Sequence, residues 1–226
     1  MRVALGPSPK TAPDWSDLWM GMAEGEARRG RYPDAIVAYT RALAALPEGA
    51  RRERADLLHC RARSHLRNEA PEAARDDWRQ ALELVPDHAE ATHALARLYA
   101  TGPPSMRDPR RALPLALAAA DRNTPPDWAP NTLGVTYYRL GRTKEAVAAL
   151  ERGRGRPAAG REPFDLYYLA LCHQRLGDTL TAKDFFSRAE AACARPAPPL
   201  APELAAELRR LRTEAAEVVR RTRQGE

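Results

Sequence analysis

Aromatic residues make up only 6% of this 226-residue chain. Valine and isoleucine are also sparse, so little of the material from which sheets are built is present. Lysine is nearly missing: Lys10, Lys144 and Lys183 stand against 33 arginines. That bias reads as the mark of a GC-rich genome more readily than as selection for guanidinium chemistry. The three cysteines, Cys60, Cys172 and Cys193, are far apart and form no C-x-x-C pair. An odd count without framework spacing excludes a disulfide scaffold and points to reduced thiols in a cytosol. The opening "MRVALGPSPKTAP" has no apolar core of the kind a signal peptide needs. No apolar run approaches the roughly 18 residues that span a bilayer. The expectation is a soluble, cytoplasmic protein with no membrane partner.

A charge of one sign is lacking too. The formal charge is +6, yet 30 acidic residues are interleaved with the 36 basic ones. Such mixing describes solvated helix faces rather than a nucleic-acid footprint, which would gather its charge on one strip. What the chain does have is alanine, leucine and arginine, the residues of helices packed through small side chains.

Those residues recur in phase. The spacing is Gly, four residues, Ala, three residues, a large apolar residue, two residues, a small one, four residues, Pro. Gly30-Ala35-Tyr39-Ala42-Pro47 fits it completely, and Glu69-Ala74-Trp78-Ala81-Pro86 fits with the glycine replaced. Gly141-Ala146-Leu150-Gly153 and Gly177-Ala182-Phe186-Ala189 lack only the proline. A weaker copy runs through Ala112-Ala116-Ala119. A small residue precedes each turn position by seven: Ala23, Ala62, Gly134 and Ala170. In the third copy that residue is Ala96, and the turn falls eleven residues on, at Arg107. The surplus of four matches "GPPS", Gly102 to Ser105, which predicts a longer loop there.

The spacing describes a helical hairpin. A first helix carries a small residue where a second crosses closely, and glycine accommodates a left-handed backbone in the turn. The alanine and the large residue four positions later share one face of the second helix. A single hairpin cannot bury its own apolar face, so the copies must stack.

The pattern resembles the tetratricopeptide repeat, whose signature is W-x2-L-G-x2-Y, then A-x3-F, then P. Leu133-Gly134, Tyr137, Ala146 and Leu150 reproduce most of it. Trp19, Met22 and Ala23 with Ala35, Tyr39 and Pro47 supply the beginning and end of the first unit. The resemblance implies an all-α fold: a right-handed α-α superhelix of about five hairpins plus a C-terminal capping helix. The units are expected near residues 16–48, 55–87, 89–125, 127–154 and 163–191, within an array spanning 15–195. Residues 1–14 read as a disordered tail, and Arg152 to Pro163 as a basic loop. After Pro196, Leu204, Leu208, Leu211, Ala215 and Val218 make one apolar stripe, expected at 202–222 as the helix sealing the last repeat.

The second half also resembles tetratricopeptide segments of planctomycete-type bacterial signalling proteins, which often follow a serine/threonine kinase or WD40 module. The segments that carry this likeness are "RDPRRALPLALAAA", "NTLGVTYYRLGRTKEAVAALERG" and "FDLYYLALCHQRLGDTLTAKDFFSRA". Kinase glycine-rich, H-R-D and D-F-G elements are missing from this sequence. The expectation is therefore a stand-alone relative or an excised piece.

Catalytic chemistry finds no footing. Gly134 sits mid-helix instead of opening a helix after a strand, so it is no phosphate loop. His59, His65, His88, His93 and His173 include no i, i+4 pair at metal-ligand spacing. Asp76 and Asp77 diverge on a helix, and Arg75 and Arg79 suggest a solvated face for them. No cofactor or metal is expected, and the reading is not an enzyme. Function belongs to a concave surface lined by the first helix of each hairpin. There we place His59 and Arg63, His93 and Arg97, then Asn131, Val135, Tyr138 and Arg139, and finally Tyr167, Tyr168, Leu171 and Arg175. Tyrosine and arginine are the residues of binding hot spots.

The lysine and asparagine clamp of co-chaperone tetratricopeptide domains is missing: the matching places carry Met20, Glu24, Cys60, Glu90 and Ala94. The leading expectation is a non-catalytic adaptor for a protein or peptide. The alternatives are nucleic-acid binding through Arg152 to Arg161 and a regulatory segment beside a kinase. The oligomeric state stays open.

Overall fold

The computed structural model describes residues 15–121, 129–154, 162–196 and 199–221. Among the described residues it has eleven α-helices, one short 3-10 helix and no strand. The expected N-terminal tail, 1–14, lies outside them, as does 155–161 of the expected basic loop. Arg152 instead lies in a helix, and so do Glu162 and Pro163. The chain falls into two compact units, divided between Pro86 and Asp87. The first contains α1 (Trp15–Arg28), α2 (Tyr32–Ala45), α3 (Arg51–Arg67) and α4 (Pro71–Leu84). The second contains α5 (Ala89–Thr101), α6 (Pro109–Ala120), α7 (Ala129–Arg139) and α8 (Thr143–Arg154). It continues with α9 (Glu162–Arg175), α10 (Thr179–Ala194) and α11 (Pro202–Arg221).

The turn phase read from the sequence has a direct backbone counterpart. Gly30, Gly141 and Gly177 have φ of 76°, 76° and 81°, and Glu69 has φ of 57°. Each is followed by a backbone N–H that reaches back five residues: Arg31 to Glu26, Ala70 to His65, Arg142 to Tyr137 and Asp178 to His173. These bonds close the first helix of the hairpin and satisfy carbonyls that would otherwise be orphaned. The third hairpin differs because its loop is longer. Gly102 has φ of −58°, Pro104–Met106 form the 3-10 turn, and Asp108 N–H bonds Tyr99 C=O at 2.9 Å. Met106 plugs the loop from inside, and the Arg107 side chain donates to Gly102 C=O at 2.7 Å.

Second helices start with the expected devices. Proline occupies the first turn of α2, α4 and α6, where its missing N–H costs nothing. The Asp108 and Asp178 carboxylates accept from the backbone N–H three residues on, each at 3.1 Å.

The hairpins close on small residues. Ala23, Ala35, Ala62 and Ala74 in the first unit are fully buried, as are Ala96, Ala112, Ala146, Ala170 and Ala182 in the second. Gly134 marks the tightest crossing. A Cβ built there would lie 2.6 Å from Leu150 Cγ and 3.2 Å from the Leu150 backbone nitrogen. Tyr39, Trp78 and Leu150 fill the space beside these crossings. Tyr137 packs against the cluster of Ala116, Leu133 and Ala149, with Arg142 stacked 4.5 Å over its ring.

Two side chains depart from the periodic reading. Phe186 is only half-buried, while its neighbour Phe185 is buried. Asp77 does not sit on a solvated face. It is buried on α4 and takes a bidentate pair from Arg61 of α3 at 2.7 and 2.8 Å. Arg61 also donates to Thr40 of α2 at 3.1 Å, so one guanidinium ties three helices.

Replacing Glu69 by glycine removes a left-handed strain of roughly 1–2 kcal/mol but loosens the unfolded chain, for a net gain of about 0.5–1 kcal/mol. Gly134→Ala forces Leu150 aside and costs about 1–3 kcal/mol. Urea unfolding of the two variants should show these opposite signs, and a destabilised Glu69→Gly would contradict the turn assignment.

Candidate functional site

The residues assigned to the partner surface behave differently in the two units. In the first unit, α1 and α3 leave an open cavity of about 360 Å³ between them. Glu24 and Arg28 of α1 line it, with Tyr32 and Tyr39 of α2 and Cys60, Arg63 and Arg67 of α3. Glu24 and Arg28 pair across one helical turn at 3.5 Å, and Arg67 lies 5.8 Å from the centre of the Tyr32 ring. Arg63 is exposed on its rim. His59 sits one turn before Arg63 and is half-buried, its ring 6.4 Å from that of Trp78.

Burial pushes the Tyr39 phenol up to about 12, and burial likewise raises the Cys60 thiol. Both are therefore neutral at physiological pH, and the fixed charges of the cavity are its arginines and Glu24. A larger hollow of about 510 Å³ among α2, α3 and α4 is lined by arginines already engaged. Arg54 donates to the C-terminal carbonyls of α2, and Arg61 holds Asp77.

In the second unit, most of the assigned residues are buried, and the chain's own α11 pairs with two of them, Arg97 and Arg139. Val135, Tyr138, Tyr167, Tyr168 and Leu171 are each no more than 2% exposed. As expected of a helix sealing the last repeat, α11 packs on the final hairpin, mainly against α9, a first helix, and less against α10. Leu211, Ala215 and Val219 are its buried residues, while Leu204, Leu208 and Val218 of the expected stripe are half-buried.

Two carboxylates fix it across the first-helix face. Glu214 takes both terminal nitrogens of Arg139 at 2.9 Å and lies 3.4 Å from the Tyr138 hydroxyl. Glu207 pairs with Arg97 of α5 at 3.5 Å. Burial works against the Arg139 charge, but the Glu214 carboxylate and the Tyr168 phenol hold its pKa above the ordinary value. Burial raises Tyr138 to about 12 and pushes Tyr168 up as well.

Aromatic packing completes the arrangement. Tyr138 and Tyr168 meet edge-on at 5.6 Å, and the Arg175 guanidinium lies 3.7 Å from the Tyr138 ring centre while donating to its carbonyl at 2.8 Å. Tyr167 turns the other way, donating to Glu190 of α10, which also pairs with Arg212 of α11. Asn131 bonds Asp165 of α9. His93 is half-buried on α5. The structure thus brings Tyr138, Arg139, Tyr168 and Arg175 together, with Glu214 of α11 on Arg139, while Arg97 and Asn131 line a hollow with Leu204 and Glu207 of α11.

Sequence reasoning missed Arg28, Tyr32 and Arg67 in the first unit. The i, i+4, i+8 ladder of His59, Arg63 and Arg67 was the available signal for Arg67.

Residues 166–191 match the family model described as Tetratricopeptide repeat. A solved structure titled "MamA 41-end from Desulfovibrio magneticus RS-1" superposes with a TM-score of 0.65 at 17% identity, covering 79% of this chain and 95% of that one. A double mutant of MamA from RS-1 gives 0.67 at 16% identity, covering 79% and 94%. MamA from AMB-1 gives 0.59 at 20%, covering 84% and 96%. The fold is a tetratricopeptide-type helical repeat. No curated protein matches the sequence. Among the described residues of this repeat fold no three His, Cys, Asp or Glu side chains form a metal-binding group, and no helix is long and apolar enough to cross a membrane.

The thiols report on the arrangement. Cys193 is exposed, Cys60 half-buried, and Cys172 buried with burial lifting its pKa to about 12. A maleimide at neutral pH should label Cys193 first and reach Cys172 only after unfolding. Prompt labelling of Cys172, read by peptide mass, would contradict the packing of α9.

Proposed function

We propose that this chain is a non-catalytic adaptor that binds a protein segment on the first-helix face of its first unit. The observation that carries the reading is the open cavity between α1 and α3, set against the filled counterpart in the second unit. A tetratricopeptide-type fold supports a protein-interaction role, because stacked hairpins present their first helices as a binding surface. Arg28, Arg63 and Arg67 outnumber the single carboxylate, Glu24, among the cavity's lining residues. Tyr32 adds a rigid aromatic wall, so an acidic segment with an aromatic or aliphatic anchor suits the site. The setting we favour is a bacterial signalling assembly, as the resemblance of the second half suggests.

A second reading, nucleic-acid binding through Arg152 to Arg161, gains no support, because most of that stretch lies outside the described residues. Capture from lysate of the source organism tests the first reading. The native chain should retain a partner that the Arg63→Glu/Arg67→Glu chain loses by tenfold or more at unchanged helicity. An identical set of captured proteins would rule out this face.

A further inference from the structure

The α11 seat is a positively charged, aromatic-floored helix site that its resident helix neutralises incompletely. Arg97 comes from α5, Arg107 from the loop after it, Arg139 from α7 and Arg175 from α9. Against these four guanidiniums α11 directs two carboxylates, Glu207 and Glu214, seven residues apart and therefore on one side of the helix. Between them α11 places another cation, Arg210, whose charge acts against that of Arg107. Burial lowers the Arg107 pKa, and the charges of Arg139 and Arg210 lower it further, against the opposing pull of Tyr168 and Glu214. Leu211 and Ala215 are the buried apolar residues between and beside these carboxylates, and the Tyr138 ring, paired with Tyr168, presents its hydroxyl to Glu214. The helix is tethered through Arg195 to Ala201, a stretch holding three prolines.

We propose that this seat is a second docking site, for an acidic amphipathic helix of a partner protein, and that α11 is its resident competitor. The partner helix carries carboxylates at the places of Glu207 and Glu214 and small or aliphatic residues at those of Leu211 and Ala215. It also carries an acidic or neutral residue where α11 has Arg210. Charge complementarity with the seat selects it over α11, whose advantage is the high local concentration that its tether provides. The proposal does not depend on the cavity of the first unit, since the two sites use different residues and their tests use different variants.

A fluorescent peptide with the sequence of residues 200–221 is the probe, titrated by anisotropy against full-length chains. It should bind the Glu207→Ala/Glu214→Ala chain, whose own helix is loosened, at least tenfold more tightly than the native chain. A peptide with Arg210→Glu should bind that chain at least threefold more tightly than the native peptide, with a gain that shrinks as salt rises. A peptide with both glutamates changed to arginine should lose binding. If the double variant loses helicity by circular dichroism, Glu214→Gln, which preserves side-chain shape, takes its place. No binding of the native peptide to a helical, loosened chain overturns the proposal. Equal binding of the charge-reversed peptide, or weaker binding of Arg210→Glu, also overturns it.

Discussion

Close approach of paired helices at small residues is the constraint on which every other feature depends. The clearest case is Gly134 against Leu150, where even a Cβ would press into the Leu150 side chain and close on its backbone nitrogen. Because the two helices touch almost backbone to backbone, their connecting turn must be short. It must therefore reverse through a left-handed residue, which Gly141 provides at φ 76°. The same logic explains the buried alanines at the matching places of the other hairpins. It also explains why one hairpin alone is insufficient. Alanine crossings bury little apolar area, so stability comes from stacking neighbours and from side chains such as Trp78 and Tyr167 that fill what remains.

That constraint has a functional side. A stack of hairpins exposes its first helices along one face, the usual binding surface of such a fold. In the second unit the occupant is α11, held by Glu214 on Arg139 and Glu207 on Arg97. In the first unit the face holds a cavity with Arg28, Arg63 and Arg67 around it. The fold thus fills one first-helix face with its own chain and leaves a cavity on the other.

Much of this was legible in the sequence, and the reason lies in periodicity. The phase of Ala35, Ala74, Ala146 and Ala182 fixed the turn positions whatever residue stood there, so Glu69 was placed correctly although it is not glycine. The four extra residues after α5 identified the longer loop for the same reason. The packing of α11 on the last hairpin was expected, but its ion pairs to α7 and α5 were not legible. An amphipathic stripe says that a helix must bury one face, but not against what. The clue was the seven-residue spacing of Glu207 and Glu214, yet 33 arginines offer such a pair too many partners for sequence to choose among. Asp77 escaped for a related reason: its neighbours Arg75 and Arg79 suggested solvent, whereas Arg61, sixteen residues earlier, is its partner.

The central claim is that α11 covers the first-helix face of the second unit through the Arg139–Glu214 pair. A double-mutant cycle on Arg139→Ala and Glu214→Ala, followed by urea unfolding, tests it most directly. The pair is bidentate and half-buried, so the predicted coupling is about 1–2 kcal/mol, with each single variant costing nearly as much as the double. Strictly additive losses would mean that α11 does not lie on this face.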